Sequence, residues 1–146
     1  MGMKVCLDTN IFIAVKNKEP NFEFSEKIMD AIEDKQVEGV ISTIVLAEVL
    51  VGFYQNDEKK EANRFLSSAL LNYEIVPLNI SNAQNAAKIR AKDKIKLPDA
   101  IINATVLETK SNFLISNDIS LIKKSKIKIL TPQQFYEEYL EENQDM

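Results

Sequence analysis

The sequence predicts an α/β domain with three layers, in which helices cover both faces of a mainly parallel sheet. The first observation is that short apolar runs alternate with longer helical segments along the chain. The second is that these runs lack polar alternation, as expected for strands buried on both faces. The third is the length of 146 residues, which fits one compact domain. We therefore expect a single domain over residues 1–146, with an acidic tail at about residues 137–146.

Five apolar runs are the predicted strands. They cover residues 4–7, 37–41, 73–78, 112–116 and 127–130. The third run contains Pro77, which cannot donate a hydrogen bond to a neighbouring strand and therefore marks the end of pairing.

Helical segments lie between the predicted strands. Apolar residues at helical spacing, or a strongly apolar composition, predict helices over residues 23–36, 44–55 and 58–71. Two further helix starts are marked by capping boxes, because Ser81 and Thr131 are each followed three residues later by Gln. Pro132 after Thr131 strengthens the second start, since proline suits the first helical position.

Composition excludes several classes of protein. The chain has no histidine and a single cysteine, Cys6, so it cannot use a Ser-His-Asp triad, a Cys-His pair or the common zinc hydrolase sites. Its three glycines are too few for a Gly-rich phosphate-binding loop. No apolar run is long enough to span a membrane and the first residues lack a signal-peptide pattern, so we expect a cytoplasmic protein. Any catalysis must use carboxylates, Lys, Ser, Thr or a bound ion.

Four carboxylates lie in unusually apolar stretches. Asp8 and Asp118 follow the first and fourth strands, Asp99 opens an apolar helix, and Glu48 lies within the apolar helix over residues 44–55. Carboxylates are rarely buried unless they are paired or bind a metal. A simpler interpretation is that the three Asp residues cap helices or interact with helix dipoles, and that Glu48 forms a buried ion pair.

The predicted sheet brings these carboxylates together. The carboxyl ends of parallel strands meet at one edge, where α/β proteins bind their ligands. At about 5 Å and an effective dielectric constant near 20, each pair of like charges costs on the order of 3 kcal/mol. Such a cluster requires protonation or divalent cations, and oxygen ligands suit Mg²⁺ or Mn²⁺. We therefore expect Asp8, Glu48, Asp99 and Asp118 to form one site.

Four motifs in order resemble the PIN domain family, and more closely the VapC-type toxin ribonucleases of toxin–antitoxin systems. The first motif is residues 7–13, around Asp8, and the second comprises Ser42 and residues 47–50 around Glu48. The third is residues 97–108, which begin Leu-Pro-Asp, and the fourth is residues 115–118, which end at Asp118. The resemblance extends from about residue 3 to residue 136.

The resemblance implies a Rossmann-like sheet of five parallel strands in the order 3-2-1-4-5. It also implies an acidic metal site that cuts RNA, a homodimer, and a small antitoxin partner. Two positions depart from the family pattern. Ser120 stands where many relatives have a further acid, and Ser116 stands where threonine is commoner. The first departure puts binding of a second metal ion in doubt.

The residues receive the following expected roles in metal-dependent hydrolysis of RNA. Asp8, Asp99 and Asp118 would bind the ion, and Glu48 would bind it through water or orient the attacking water. The polar residues expected to hold these carboxylates in place are Thr9, Ser116, Asn117 and Asn103. The basic residues expected to bind RNA phosphates are Arg90, Lys92, Lys94, Lys96, Lys123 and Lys124. Ordinary capping, or a solvated helix face, remains the alternative for both groups.

Three other functions are alternatives to this one. A non-catalytic PIN-like module could bind RNA or protein without cutting, and a solitary nuclease could process RNA without an antitoxin. A phosphotransfer receiver domain has a similar alternation of strands and helices. It needs paired acids after the first strand and an Asp at the end of the third, whereas Asp8 is alone and the third strand ends at Pro77-Leu78-Asn79.

Overall fold

The computed structural model describes residues 2–141 and contains one five-stranded sheet. All paired strands are parallel, in the order β3-β2-β1-β4-β5, as predicted. The strands are β1 (Lys4–Leu7), β2 (Glu38–Ser42), β3 (Tyr73–Val76), β4 (Phe113–Ile115) and β5 (Ile129–Leu130). The helices are α1 (Thr9–Lys16), α2 (Phe22–Glu33), α3 (Thr43–Gln55), α4 (Lys59–Asn72), α5 (Ile80–Asp93), α6 (Leu97–Thr109), α7 (Ile119–Lys124) and α8 (Pro132–Phe135), followed by a π-helix over Tyr136–Leu140.

Strand β1 lies at the centre of the sheet. Cys6 is in register with Val40 of β2 on one side and with Leu114 of β4 on the other. The chain adds β2 and β3 on one side of β1 and then returns to add β4 and β5 on the other. The carboxyl ends of β1 and β4 therefore flank the point where the strand order reverses, which is where ligands bind in open α/β sheets.

The core consists of the inner strands and the helices packed on them. Leu7, Ile41 and Ile115 are fully buried, as are Ile11 of α1 and Ile102 of α6. Burial on both faces explains why these strands appear in the sequence as continuous apolar runs. The rigid core holds the strand ends that carry the acidic residues.

The structure confirms one predicted helix start and corrects the other. Thr131 and Gln134 form the predicted capping box, with hydrogen bonds of 3.1 and 2.9 Å. The predicted capping box at Ser81 is wrong, because α5 begins at Ile80. Its cap is Asn79, whose side-chain oxygen accepts from the backbone N–H of Asn82 at 2.9 Å. Asn caps a helix as well as Ser does, and Asn79 comes two residues earlier.

The described part of the acidic tail packs on the domain. Leu140 is buried, and the ring of Tyr139 lies 5.2 Å from that of Phe113. The rest of the predicted tail, residues 142–146, lies outside the described residues. Within residues 2–141, no helix combines the length and apolar character needed to cross a membrane.

Candidate active site

Asp8 is a buried carboxylate at the junction between β1 and α1. Its Oδ1 accepts a hydrogen bond from the backbone N–H of Thr9 at 2.8 Å, so Asp8 does cap α1. Its Oδ2 accepts from Ser116 Oγ at 2.7 Å and from Asn10 Nδ2 at 3.3 Å. Burial raises the pKa of Asp8, and the charges of Glu48 and Asp118 raise it further, against the opposing effect of the Ser116 and Thr9 hydrogen bonds.

Ser116 ties the end of β4 to the end of β1. Its hydroxyl donates to Asp8, and it accepts from Asn10 Nδ2 at 3.2 Å and from the backbone N–H of Asp118 at 3.0 Å. Asn10 Oδ1 in turn accepts from the backbone N–H of Asn117 at 3.0 Å. Ser116 therefore has the positioning contact expected for it. The role of Asn10 was missed, although its place two residues after Asp8, in the first turn of α1, is a signal that could have indicated it.

Asp118 caps the short helix α7. Its Oδ1 accepts from Ser120 Oγ at 2.7 Å and from the backbone N–H groups of Ser120 and Leu121 at 3.0 and 3.2 Å. The Ser120 hydroxyl contributes most to lowering the pKa of Asp118. Ser120 therefore stabilises the ionised form of Asp118 at the position where many relatives have a further acid.

Asp99 lies half-buried in the first turn of α6. Burial, followed by the charges of Asp8, Asp118 and Glu48, raises its pKa to about 6, although Lys96 acts in the opposite direction. Asp99 is thus within electrostatic range of all three of the other acids. Asp8 and Asp118 follow strand ends and Asp99 lies at a helix start, whereas Glu48 lies in the second turn of α3.

Glu48 is exposed, which excludes the alternative interpretation that it forms a buried ion pair. No ion pair within residues 2–141 involves Glu48. Its Oε1 accepts a hydrogen bond from Thr9 Oγ1 at 2.5 Å. Thr9 thereby links α1 to α3 and holds Glu48 near Asp8, whose pKa the Glu48 charge raises.

A cleft of about 280 Å³ opens beside Asp99 and Asp118. Its other lining residues are Arg90, Lys94, Ile95, Lys96, Ser120, Leu121 and Lys124. Arg90 is held there by a 2.5 Å hydrogen bond to the carbonyl oxygen of Ile95. Four of the six basic residues singled out in the sequence therefore share one cleft with two of the acids. Lys92 lines a different cavity, and Lys123 is exposed outside this cleft.

Asn103 does not join the acidic cluster. It is buried, its amide donates to Ser125 Oγ at 3.1 Å, and it lines the same separate cavity as Lys92. Helical spacing put it on the same face as Asp99, but four residues of helix also carry it about 6 Å along the axis. Asn117 contributes its backbone N–H to the network, while its side chain lines another cleft.

The donor set fits a hydrated hard cation. Within the part of the chain that the structure describes, no three acidic side chains are grouped closely enough to hold an ion by themselves. Mg²⁺ usually binds through one or two carboxylates and keeps several waters, so it does not need such a group. Burial is the main cause of the raised pKa values of Asp8 and Asp99, and the charges of the neighbouring acids add to it. A divalent cation would neutralise that negative charge.

The arrangement defines an α/β protein with a carboxylate cluster at the reversal point of a parallel sheet. Residues 5–127 match the model of the PIN domain family, and the chain therefore belongs to the PIN domain family. Members of this family are typically nucleases and are generally metal-dependent. A search of curated proteins finds no match.

Solved structures of similar fold are the toxins of VapBC-type toxin–antitoxin complexes. A chain of a toxin–antitoxin complex from Klebsiella pneumoniae is 26% identical, with a TM-score of 0.69 over 88% of this chain and 97% of that one. The structure of FitAcB from Neisseria gonorrhoeae is 21% identical, with a TM-score of 0.71 over 88% of this chain and 98% of that one. The structure of VapBC2 from Rickettsia felis, bound to a DNA fragment from its promoter, is 21% identical, with a TM-score of 0.70. The match covers 88% of this chain and 98% of that one.

Proposed function

We propose that this chain is an Mg²⁺- or Mn²⁺-dependent endoribonuclease. The observation that carries the proposal is that acidic and basic side chains line the same cleft. Asp99 and Asp118, which interact with Asp8 and Glu48, line the same cleft as four basic side chains. The acids suit a divalent cation, and the basic side chains suit the phosphates of RNA.

The side chains of the site have different proposed roles. Asp8, Asp99 and Asp118 would hold the ion, with Glu48 acting through water or orienting the attacking water. When bound, the ion supplies neutralisation of phosphate charge and activation of water. Ser116 and Thr9 hold Asp8 and Glu48 by hydrogen bonds, which keeps the carboxylates in place. Lys96 and Lys124 bind the substrate phosphates beside Asp99 and Asp118.

Cleavage of a labelled RNA oligonucleotide tests this function. We expect cleavage in Mn²⁺ or Mg²⁺, none in excess EDTA, and recovery when metal is restored. Lys124→Ala should raise KM about tenfold at moderate salt, because one phosphate contact is lost, whereas Lys123→Ala should leave KM unchanged. Cleavage that persists in EDTA would contradict the proposal. RNA binding without any cleavage in metal would instead identify a non-catalytic binding module.

We further propose that the chain is the toxin of a toxin–antitoxin pair. The support is its likeness to toxins solved within such complexes. Expression of the chain alone should arrest growth of a bacterial host, and co-expression of the protein encoded beside it should restore growth. A solitary gene, with no effect on growth, would favour an RNA-processing nuclease.

Exposed apolar side chains on α3 and α4 support a homodimer. Val51 and Tyr54 on α3, and Leu70 and Leu71 on α4, are all at least half exposed. A stable interface that covers them should bury more than about 1,000 Å². We predict that light scattering will show the wild-type chain to be a dimer. The double variant Leu70→Lys with Leu71→Lys should be a monomer. Leu107→Lys, on the exposed face of α6, is the matched control and should remain dimeric. A monomeric wild-type chain at high concentration would refute the dimer.

A further inference from the structure

A second cleft lies on the other side of the segment that carries Asp118. We propose that it binds an unpaired nucleobase of the RNA strand, next to the cleft that takes the phosphate. This inference rests on the proposed ribonuclease function and adds to it a site that selects the base. The cleft has a volume of about 210 Å³.

The lining of the second cleft is neutral, unlike that of the first. It contains three amide side chains, three apolar ones and one hydroxyl, namely Asn21, Asn117, Gln133, Phe24, Ile119, Pro132 and Thr131. No charged residue lines it, whereas six of the nine residues that line the first cleft are charged. A phosphate would find no counter-charge in the second cleft. A nucleobase is uncharged and combines flat apolar faces with a polar edge, which this lining matches.

The three amides are free to bind a ligand. Within residues 2–141, the side chains of Asn21, Asn117 and Gln133 make no hydrogen bond, although Asn21 stands at the cap position of α2. A primary amide presents a donor and an acceptor side by side, the arrangement that pairs with the edge of a base. The exposed Ile119 and the half-buried Phe24 supply apolar surface against which a base can lie.

The position of the cleft links it to the acidic cluster. Asp118 and Ser120 line the first cleft, and Asn117 and Ile119 line the second. Alternate residues of one segment thus face the two clefts. The Asn117 backbone N–H is also hydrogen-bonded to Asn10, which contacts Asp8. A nucleotide whose phosphate lies at Asp118 would therefore have its own base, or that of its neighbour, beside Asn117.

Nuclear magnetic resonance tests base binding without any need for activity. The probes are adenosine, guanosine, cytidine and uridine, each with a base and no phosphate, and ribose 5-phosphate, which has a phosphate and no base. We expect at least one nucleoside to shift the side-chain amide signals of Asn117 and Gln133, and ribose 5-phosphate to leave them unchanged. The double variant Asn117→Ala with Gln133→Ala should weaken nucleoside binding about tenfold. Gln84→Ala, an exposed glutamine on α5, is the matched control.

A cleavage assay then tests base selection on RNA. The substrates are oligonucleotides that differ only in the base beside the cut phosphate, including one abasic substrate. We expect the wild-type chain to prefer one base by about tenfold, and the double variant to cut all substrates at the abasic rate. The inference fails if no nucleoside shifts the two amide signals, or if binding is unchanged in the double variant. Nucleoside binding in a chain that cuts no RNA would refute the nuclease proposal and leave the base site standing.

Discussion

Asp99→Asn is expected to lower RNA cleavage strongly and to raise the melting temperature of the metal-free protein. Asn keeps the shape of Asp but removes a partly buried charge, so the cost of burying that charge disappears together with its repulsion by the other three acids. Asp99 is only half-buried, and solvent screening reduces the gain to about 1 kcal/mol, or roughly 2–4 °C in melting temperature. Cleavage should fall at least about 100-fold, because a carboxylate ligand has become a neutral amide.

The stabilisation should depend on pH. The pKa of Asp99 in the folded protein is raised to about 6, above its ordinary value of 3.8. Between these values the folded state binds more protons than the unfolded state, so the contribution of Asp99 to stability falls as pH rises. The gain from Asp99→Asn should therefore be present at pH 7 and absent near pH 4.

A matched control separates this effect from helix capping. Glu61 lies in the first turn of α4, as Asp99 lies in the first turn of α6, but it is not part of the acidic cluster. Glu61→Gln should lower the melting temperature slightly, because a favourable interaction with the helix dipole is lost, and should not affect cleavage. Mn²⁺ should stabilise the wild type and the Glu61 variant more than the Asp99 variant. If the Asp99→Asn protein melts at a lower temperature than wild type without metal and cuts RNA at the wild-type rate, Asp99 only stabilises the start of α6.

Ser116→Ala is expected to damage both stability and activity. The buried hydroxyl donates to Asp8 and accepts from Asn10 and from the Asp118 backbone N–H. Its loss removes one hydrogen-bond partner each from Asp8, Asn10 and the Asp118 backbone N–H, and costs about 2 kcal/mol. Cleavage should fall about 10- to 100-fold, because Asp8 loses a group that holds it in place.

Ser116→Thr keeps the hydroxyl and should retain most of the activity. We expect this variant to cut RNA within a few-fold of the wild-type rate, at the same metal concentration. Differential scanning calorimetry and the cleavage assay measure the two effects separately. If Ser116→Ala lowers stability but keeps full activity, Ser116 is a structural residue and does not position the site.

Local signals in the sequence were sufficient to locate the strands, but not the surroundings of the four carboxylates, whose shared metal site stays a prediction. Apolar runs identified all five strands. Burial on both faces explains this for β1 and β4, whereas the edge strand β3 contains the exposed Glu74 and is buried only in part. The strand order came from the family resemblance, since pairing depends on contacts distant in sequence. Asp8 and Asp118 were given a capping and a metal-binding interpretation as alternatives, yet both cap helices and both lie in the acidic cluster.

Sequence patterns are insufficient where the burial of a side chain, or its neighbours in the fold, decide its role. The alternative of a buried ion pair for Glu48 is wrong, because the helix exposes this position and Thr9 is its partner. Helical spacing placed Asn103 on the face of Asp99 without showing that it lies one turn further from the sheet edge. The position of Asn10 two residues after Asp8 indicates that it lies near Asp8, but only the fold brings it to Ser116.

Anomalous diffraction from crystals soaked in Mn²⁺ tests the central claim most directly, because it locates the ion without relying on activity. The account predicts a peak about 2.2 Å from carboxylate oxygens of at least one of Asp8, Asp99 and Asp118, with the remaining ligands being water, and its loss in Asp99→Asn. A peak elsewhere on the surface, or no peak at a concentration of Mn²⁺ that supports cleavage, would contradict a metal centre at this edge of the sheet.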